Sequence, residues 1–285
     1  MMLGKIQDQK KKINKFSYLP LVIMELHIPT LAPETILHIG KFPITNTMIN
    51  TWLAIGIFLI LGLVLRKKIK LKPTKIQNFI EFFLEKLFVY FDQVTGDRKK
   101  TIQFLPIVGS LFFFILLSNW LGLLPGTGSI TIGGAPLLRP ANTDLNLTVA
   151  MALVSVVASH IFGLFTVGVF THLNKFVQIG TFFKSLTKGP VAIFTAIVEL
   201  AVGLIEIVSE MAKVLSLSLR LFGNVFAGEV LISVISSIAA LLVPAPFMML
   251  EILVGIIQAS VFTMLTLVYL TVLTTKPHGH AKEKH

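Results

Sequence analysis

Residues 216–229 read SLSLRLFGNVFAGE. They lie inside an apolar run of 52 residues without proline, Val191 to Leu242. A charge in hydrocarbon costs at least a few kcal/mol. A guanidinium, with a pKa above about 12, cannot shed its proton to avoid that cost. A helix carrying Arg220 through a membrane must therefore turn one side toward protein, water or both. A straight helix over this run would be roughly 78 Å long, against a hydrocarbon core of about 30 Å. The length predicts a strongly tilted helix, a kinked one, or two in series, with Gly203, Gly223 and Gly228 as places to bend.

The rest of the chain agrees with a membrane setting. Of 285 residues 54% are hydrophobic and only 14% charged, where a soluble domain carries about 25% charged residues. Mean hydropathy is +0.83. The fold class is all-α polytopic, in one integral domain over residues 44–275. Its expected crossings are 44–65, 101–124, 145–170, 191–242 and 244–273, the last two long and strongly tilted. Residues 74–95 differ. Asn78, Glu81, Glu85 and Asp92 mark one face, and Phe79, Phe83, Leu87 and Phe91 the other. This pattern predicts an amphipathic helix lying in the interface. The chain has no cysteine, and no metal, phosphate-loop or nucleophile signature stands out. The reading is of a non-enzymatic subunit without cofactor or metal.

The net charge of +11 resides in lysines flanking apolar runs. That pattern suits anionic lipid headgroups rather than nucleic acid. Residues 66–100 hold ten Lys/Arg, whereas the 125–144 loop holds only Arg139. The positive-inside rule then places the N-terminus outside and the 276–285 tail in the cytoplasm. Residues 1–43 read as a partly disordered extension, without the Arg-rich, acid-poor composition of a transit peptide. A bacterial cell membrane is expected.

Glu199, Glu206, Lys213 and Arg220 are spaced by seven residues, so they share nearly one helix face. Ser209, Ser216 and Asn224 lie close to that stripe. No acid lies three or four residues from Arg220, so its partner must come from another segment or chain. Glu210 and Lys213 suit an ion-pair ladder equally well. Glu251 and Gln258 repeat the seven-residue spacing on the last apolar run. Glu229 and Glu251, on adjoining helices, can share and relay a proton. Asp144 is a helix cap or an ion-uptake residue, and His160 is a packed or a functional histidine.

The stretch SLSLRLFGNVFAGE, with QASVFTMLTLVYL about 30 residues later, closely resembles subunit a of the F-type ATP synthase. LSNWLGLLPG and LLRPANTDLNLTVAMAL resemble that family too. The resemblance covers roughly residues 30–275. It implies a stator in which Arg220 faces a ring of c subunits, each carrying one ionisable carboxylate. Two aqueous half-channels would reach that ring from opposite sides of the membrane. Glu206, Ser216, Asn224, Glu229 and Gln258 would line or border them. The family often has histidine where this chain has Glu251. A b-subunit stalk and the other synthase subunits would be further partners.

Two other classes compete. A secondary antiporter should show internal repeats with broken helices in matching halves, and the charged long helix has no counterpart in the first half. A flagellar-type ion stator should carry a large cytoplasmic domain, for which no stretch offers room. An inert scaffold leaves the arginine unexplained. Proton or sodium, and ring size, are set in another chain.

Overall fold

The computed structural model describes residues 30–68, 73–124, 131–132, 135–169, 172, 190–238 and 243–275. A β-hairpin comes first, β1 (Thr35–Ile39) and β2 (Phe42–Thr45), turning at Gly40 with φ 64°. Helices α1 (Asn46–Lys68), α2 (Lys75–Thr95) and α3 (Arg98–Gly122) follow. A two-residue ladder pairs β3 (Thr131–Ile132) with β4 (Ala135–Pro136), ahead of a 3-10 turn at Ala141–Thr143. Helices α4 (Leu145–Val167), α5 (Pro190–Ile238) and α6 (Pro244–Thr274) complete the described chain. Five helices are long and apolar enough to cross a membrane, and α2 is not among them. The all-α, five-span expectation stands.

The first crossing starts two residues later than the sequence suggests, because residues 42–45 pair as a strand. Thr45 then ends the hairpin and starts the helix. Its Oγ1 accepts from the Met48 N–H at 3.4 Å, which satisfies one donor of the first turn. The same chemistry starts other helices. Thr74 Oγ1 accepts from Gln77 N at 3.4 Å, Asp97 Oδ1 from Lys99 N at 2.9 Å, and Asp144 Oδ1 from Asn146 N at 2.9 Å. Pro244 opens α6, where a missing N–H is no loss. Gly96, with φ 65°, closes α2 in the left-handed conformation.

Of the three forms expected for the long run, one continuous helix is found. α5 has 49 residues and its glycines do not interrupt it. The corner between α2 and α3 is tied by Thr95 Oγ1 to Thr101 Oγ1 at 2.6 Å and by Arg98 Nη1 to Asp92 Oδ2 at 2.7 Å. The Arg98 guanidinium also lies 4.0 Å from the Phe88 ring centroid. The Thr101 hydroxyl and the Arg98 guanidinium hold the Asp92 carboxyl below the usual carboxylate range.

The core gathers Phe91 of α2, Phe104, Val108, Phe112 and Ile115 of α3, Met151 of α4, Leu217 and Leu221 of α5, and Phe262 and Leu267 of α6. Lipid is as apolar as these side chains, so close packing and polar ties must hold the helices together. Ser155 Oγ donates to Thr266 Oγ1 at 2.7 Å between α4 and α6, fully buried. The sequence reading of residues 1–29, most of the 171–190 connector, residues 239–242 and the 276–285 tail lies outside the described residues.

Candidate functional site

Polar side chains collect at two levels of the bundle, and α5 runs past both. At the hairpin end the centre is Arg139, whose side chain is 3% exposed. Its Nε sits 2.9 Å from Glu229 Oε1 of α5. Its Nη2 donates to the Thr30 carbonyl at 2.8 Å and its Nη1 to the Ala32 carbonyl at 3.2 Å. The guanidinium also lies over Phe226, 5.9 Å from the centroid. One buried cation therefore joins the N-terminal segment, the loop and the longest helix. Around it, Asn50 Nδ2 donates to the Arg139 carbonyl at 2.7 Å, and Asn142 Nδ2 to Asn119 Oδ1 at 2.7 Å. Asp144, besides capping α4, accepts from Thr47 Oγ1 at 3.2 Å. Asn50 Oδ1, Asn119 Nδ2 and Asn142 Oδ1 are buried without a hydrogen-bond partner among the described residues.

Glu251 of α6 reaches the same level. Its carboxyl packs on the backbone at Gly228, where any β-carbon would collide with it. The glycine thus lets this acid lie against α5, one residue from Glu229. Gln258, two turns further along α6, is buried.

The second polar level is at the opposite end. His160 of α4 faces Glu210 of α5, Nε2 to Oε2 at 3.3 Å. Its other ring nitrogen, Nδ1, is 3.1 Å from His172 Nε2. Glu210 Oε1 pairs with Lys213 Nζ at 2.6 Å, and Lys213 lies 5.1 Å from the centroid of the Tyr269 ring. His160 is thus partly buried and in contact with a titratable partner on α5.

Arg220 sits between the levels, ten residues from Glu210 and nine from Glu229. At 1.5 Å per residue these are axial separations of about 15 and 14 Å. Arg220 is exposed on the chain's surface, where its Nη2 donates to Ser216 Oγ at 3.4 Å. Among the described residues no carboxylate lies within ion-pairing distance of it. Ser216 and Asn224 are exposed as well, Leu215 and Leu219 are 56% and 51% exposed, and the space beside Gly223 is open. Glu206 is partly exposed, and the side chain of Glu199 lies outside the described residues.

Lys213 thus packs beside Glu210 while Arg220 and Ser216 face outward, and two polar residues were not singled out in the sequence. Arg139 entered the sequence reading only as a loop charge, although a lone cation inside LLRPAN was itself a signal. His172 lies past the end of α4, beyond any helical periodicity. Among the described residues, no three His, Asp or Glu converge as a metal site. The arrangement is one of titratable groups at two levels along one helix, with the Arg220 cation between them.

The fold and site together define a multi-pass helical membrane protein with ionisable groups inside its bundle. Residues 48–271 match the ATP synthase A chain family. Over 251 residues the chain is 32% identical to ATP synthase subunit a of Moorella thermoacetica, covering 88% of this chain and 99% of that one. It is 31% identical to ATP synthase subunit a of Geobacter sulfurreducens, covering 88% and 95%. It is also 31% identical to the chloroplastic subunit a of Stigeoclonium helveticum, covering 79% and 82%. The chain belongs to the ATP synthase A chain family.

Proposed function

We propose that this chain is the proton-conducting stator of an F-type ATP synthase, without catalytic residues or cofactors of its own. It lies in a bacterial cell membrane beside a ring of c subunits and a b-subunit stalk. The single observation that carries this reading is the setting of Arg220: an exposed cation on α5, with no carboxylate partner among the described residues, midway between two polar levels. Such a charge suits a partner surface that brings its own carboxylate.

The hairpin end faces outside, because the ten Lys/Arg of residues 66–100 gather at the other end. Protons enter through the outer half-channel past Glu229, Glu251 and the asparagines. A buried amide atom without a partner costs about 1–3 kcal/mol, so water reaching Asn50, Asn119 and Asn142 would relieve a real penalty. A proton loads a ring carboxylate, travels with the ring, and leaves through the inner half-channel bordered by Glu206 and Ser216. Arg220, one turn before Asn224, keeps the two paths apart and favours the ionised form of the ring carboxylate as it passes, and Gln258 borders them. α2 lies along the inner interface, and α5 and α6 tilt to follow the ring.

Isolation of the complex through a tag on this chain tests the assignment. A ring of c subunits and a b subunit should co-purify, and vesicles holding the complex should make ATP from ADP and phosphate on an imposed proton gradient. Recovery of the chain alone, or a complex that synthesises nothing while hydrolysing ATP normally, would overturn it.

A further inference from the structure

We infer that His172, His160 and Glu210 form a proton wire that serves as the inner exit path of the stator, an inference that rests on the function proposed above. Its geometry is linear. Both ring nitrogens of His160 are engaged by titratable groups, Glu210 Oε2 at 3.3 Å on one side and His172 Nε2 at 3.1 Å on the other. A metal site would need these groups to converge on one point, and they stand in a row instead. A neutral imidazole is a donor at one nitrogen and an acceptor at the other, so a ring held this way can take a proton on one side and release one on the other.

The surroundings hold the row in place. Gly163 of α4 lies directly beneath His172, and a β-carbon there would come within 2.9 Å of the ring, too near for the imidazole to keep its place. The His172 ring is 5% exposed and its backbone N–H bonds the Gly168 carbonyl at 3.0 Å. Among the described residues, the charged and titratable groups beside the row include Lys213, paired to Glu210 at 2.6 Å, and Tyr269 of α6, which lies within electrostatic reach of both Glu210 and Arg220. Lys213 balances the carboxylate whenever the proton has moved on. The α5 end of the row, Glu210, lies ten residues before Arg220 on the same helix.

The transfer balances. A proton released from the ring carboxylate beside Arg220 crosses the roughly 15 Å to Glu210 through water and protonates its carboxylate. An N–H bond forms at His160 Nε2 as the Glu210 O–H bond breaks. The N–H bond at His160 Nδ1 breaks as one forms at His172 Nε2, and His172 passes a proton on toward the inner side. One proton enters and one leaves, and both His160 and His172 reset by a change of tautomer.

The test uses the complete synthase in vesicles, with wild type, His160→Gln and His160→Ala. Proton-driven synthesis by the wild type must be seen first, and its absence would sink the stator assignment rather than the wire. Positioned proton transfer contributes at least about a hundredfold to a step it controls, so His160→Gln should slow synthesis by about tenfold or more while the c ring stays bound. In His160→Ala, imidazole added on the inner side should restore a substantial part of the rate, because it fills the vacated space. In His160→Gln it should restore none. A wild-type rate in His160→Gln, or a loss in an assembled His160→Ala complex that imidazole leaves untouched, would overturn the wire.

Discussion

Glu229 and Glu251 sit at the same level, yet their environments differ. Glu229 is held by a buried guanidinium, while Glu251 is pressed on glycine backbone. On the function proposed above, both acids border the outer path, and Glu251, without such a cation, is the one that exchanges the proton. Glu251→Gln should therefore slow proton-driven synthesis severalfold more than it lowers the amount of assembled complex, read as synthesis rate per complex. A wild-type rate would remove Glu251 from the path. Arg139→Ala should act differently, as a stability defect. Removing one partner of a buried pair costs about 3–5 kcal/mol, and here two backbone carbonyls lose their donor too. The expected result is a large drop in the thermal midpoint of the purified complex, partly recovered in the Arg139→Met, Glu229→Gln double variant. An unchanged midpoint in Arg139→Ala would show that the pair is not structural. Spacing revealed Arg220, Glu251 and Gln258, because a polar residue every two turns on an apolar helix is visible in one dimension. The Arg139–Glu229 pair spans 90 residues of sequence, and nothing periodic connects them.

Among the elements, the apolar runs were legible to within about three residues at their ends, apart from the far end of α5, where residues 239–242 lie outside the described residues, since each needs roughly 20 apolar residues to span. The hairpin over Thr35–Thr45 was not, because two short strands around Lys41 leave no run long enough to read. The continuity of α5 was open in the sequence for the same reason that it matters. Glycine permits a bend without forcing one, and packing against α4 and α6 decides. The exposed face of α5 can be mapped directly, because the chain has no cysteine of its own. Leu219→Cys and Asn224→Cys should cross-link to a cysteine placed near the c-subunit carboxylate. Leu217→Cys and Leu221→Cys, 2% and 1% exposed, should not. Cross-linking from the buried pair would reverse the assigned face. The α2–α3 corner has a pH limit with a definite sign. The Asp92 value is lowered from 3.8, so its tie is fully present above that value and is lost as pH falls through the lowered one. Arg98→Ala should speed proteolysis at the corner at neutral pH, and an unchanged cleavage rate would mean the other contacts suffice.

For the whole molecule, the proposed function raises the question of how a fixed cation would drive rotation without locking it. Two opposite charges about 4 Å apart attract by roughly 4 kcal/mol at an effective dielectric near 20. A charge falling through about 150 mV gains roughly 3.5 kcal/mol. These are comparable, so the contact must stay wet, and the exposed position of Arg220 suits that requirement. The decisive measurement is ATP synthesis and passive proton leak, read separately in vesicles holding purified complexes with Arg220→Ala and Arg220→Lys. Both variants should assemble, since Arg220 packs no core. Both should lose coupled synthesis, because lysine is a shorter point donor that releases its proton when desolvated. Leak should persist or rise in Arg220→Ala, where no charge separates the two paths. Substantial synthesis by Arg220→Lys would contradict the need for a permanent cation, and loss of assembly in both variants would make Arg220 a structural residue.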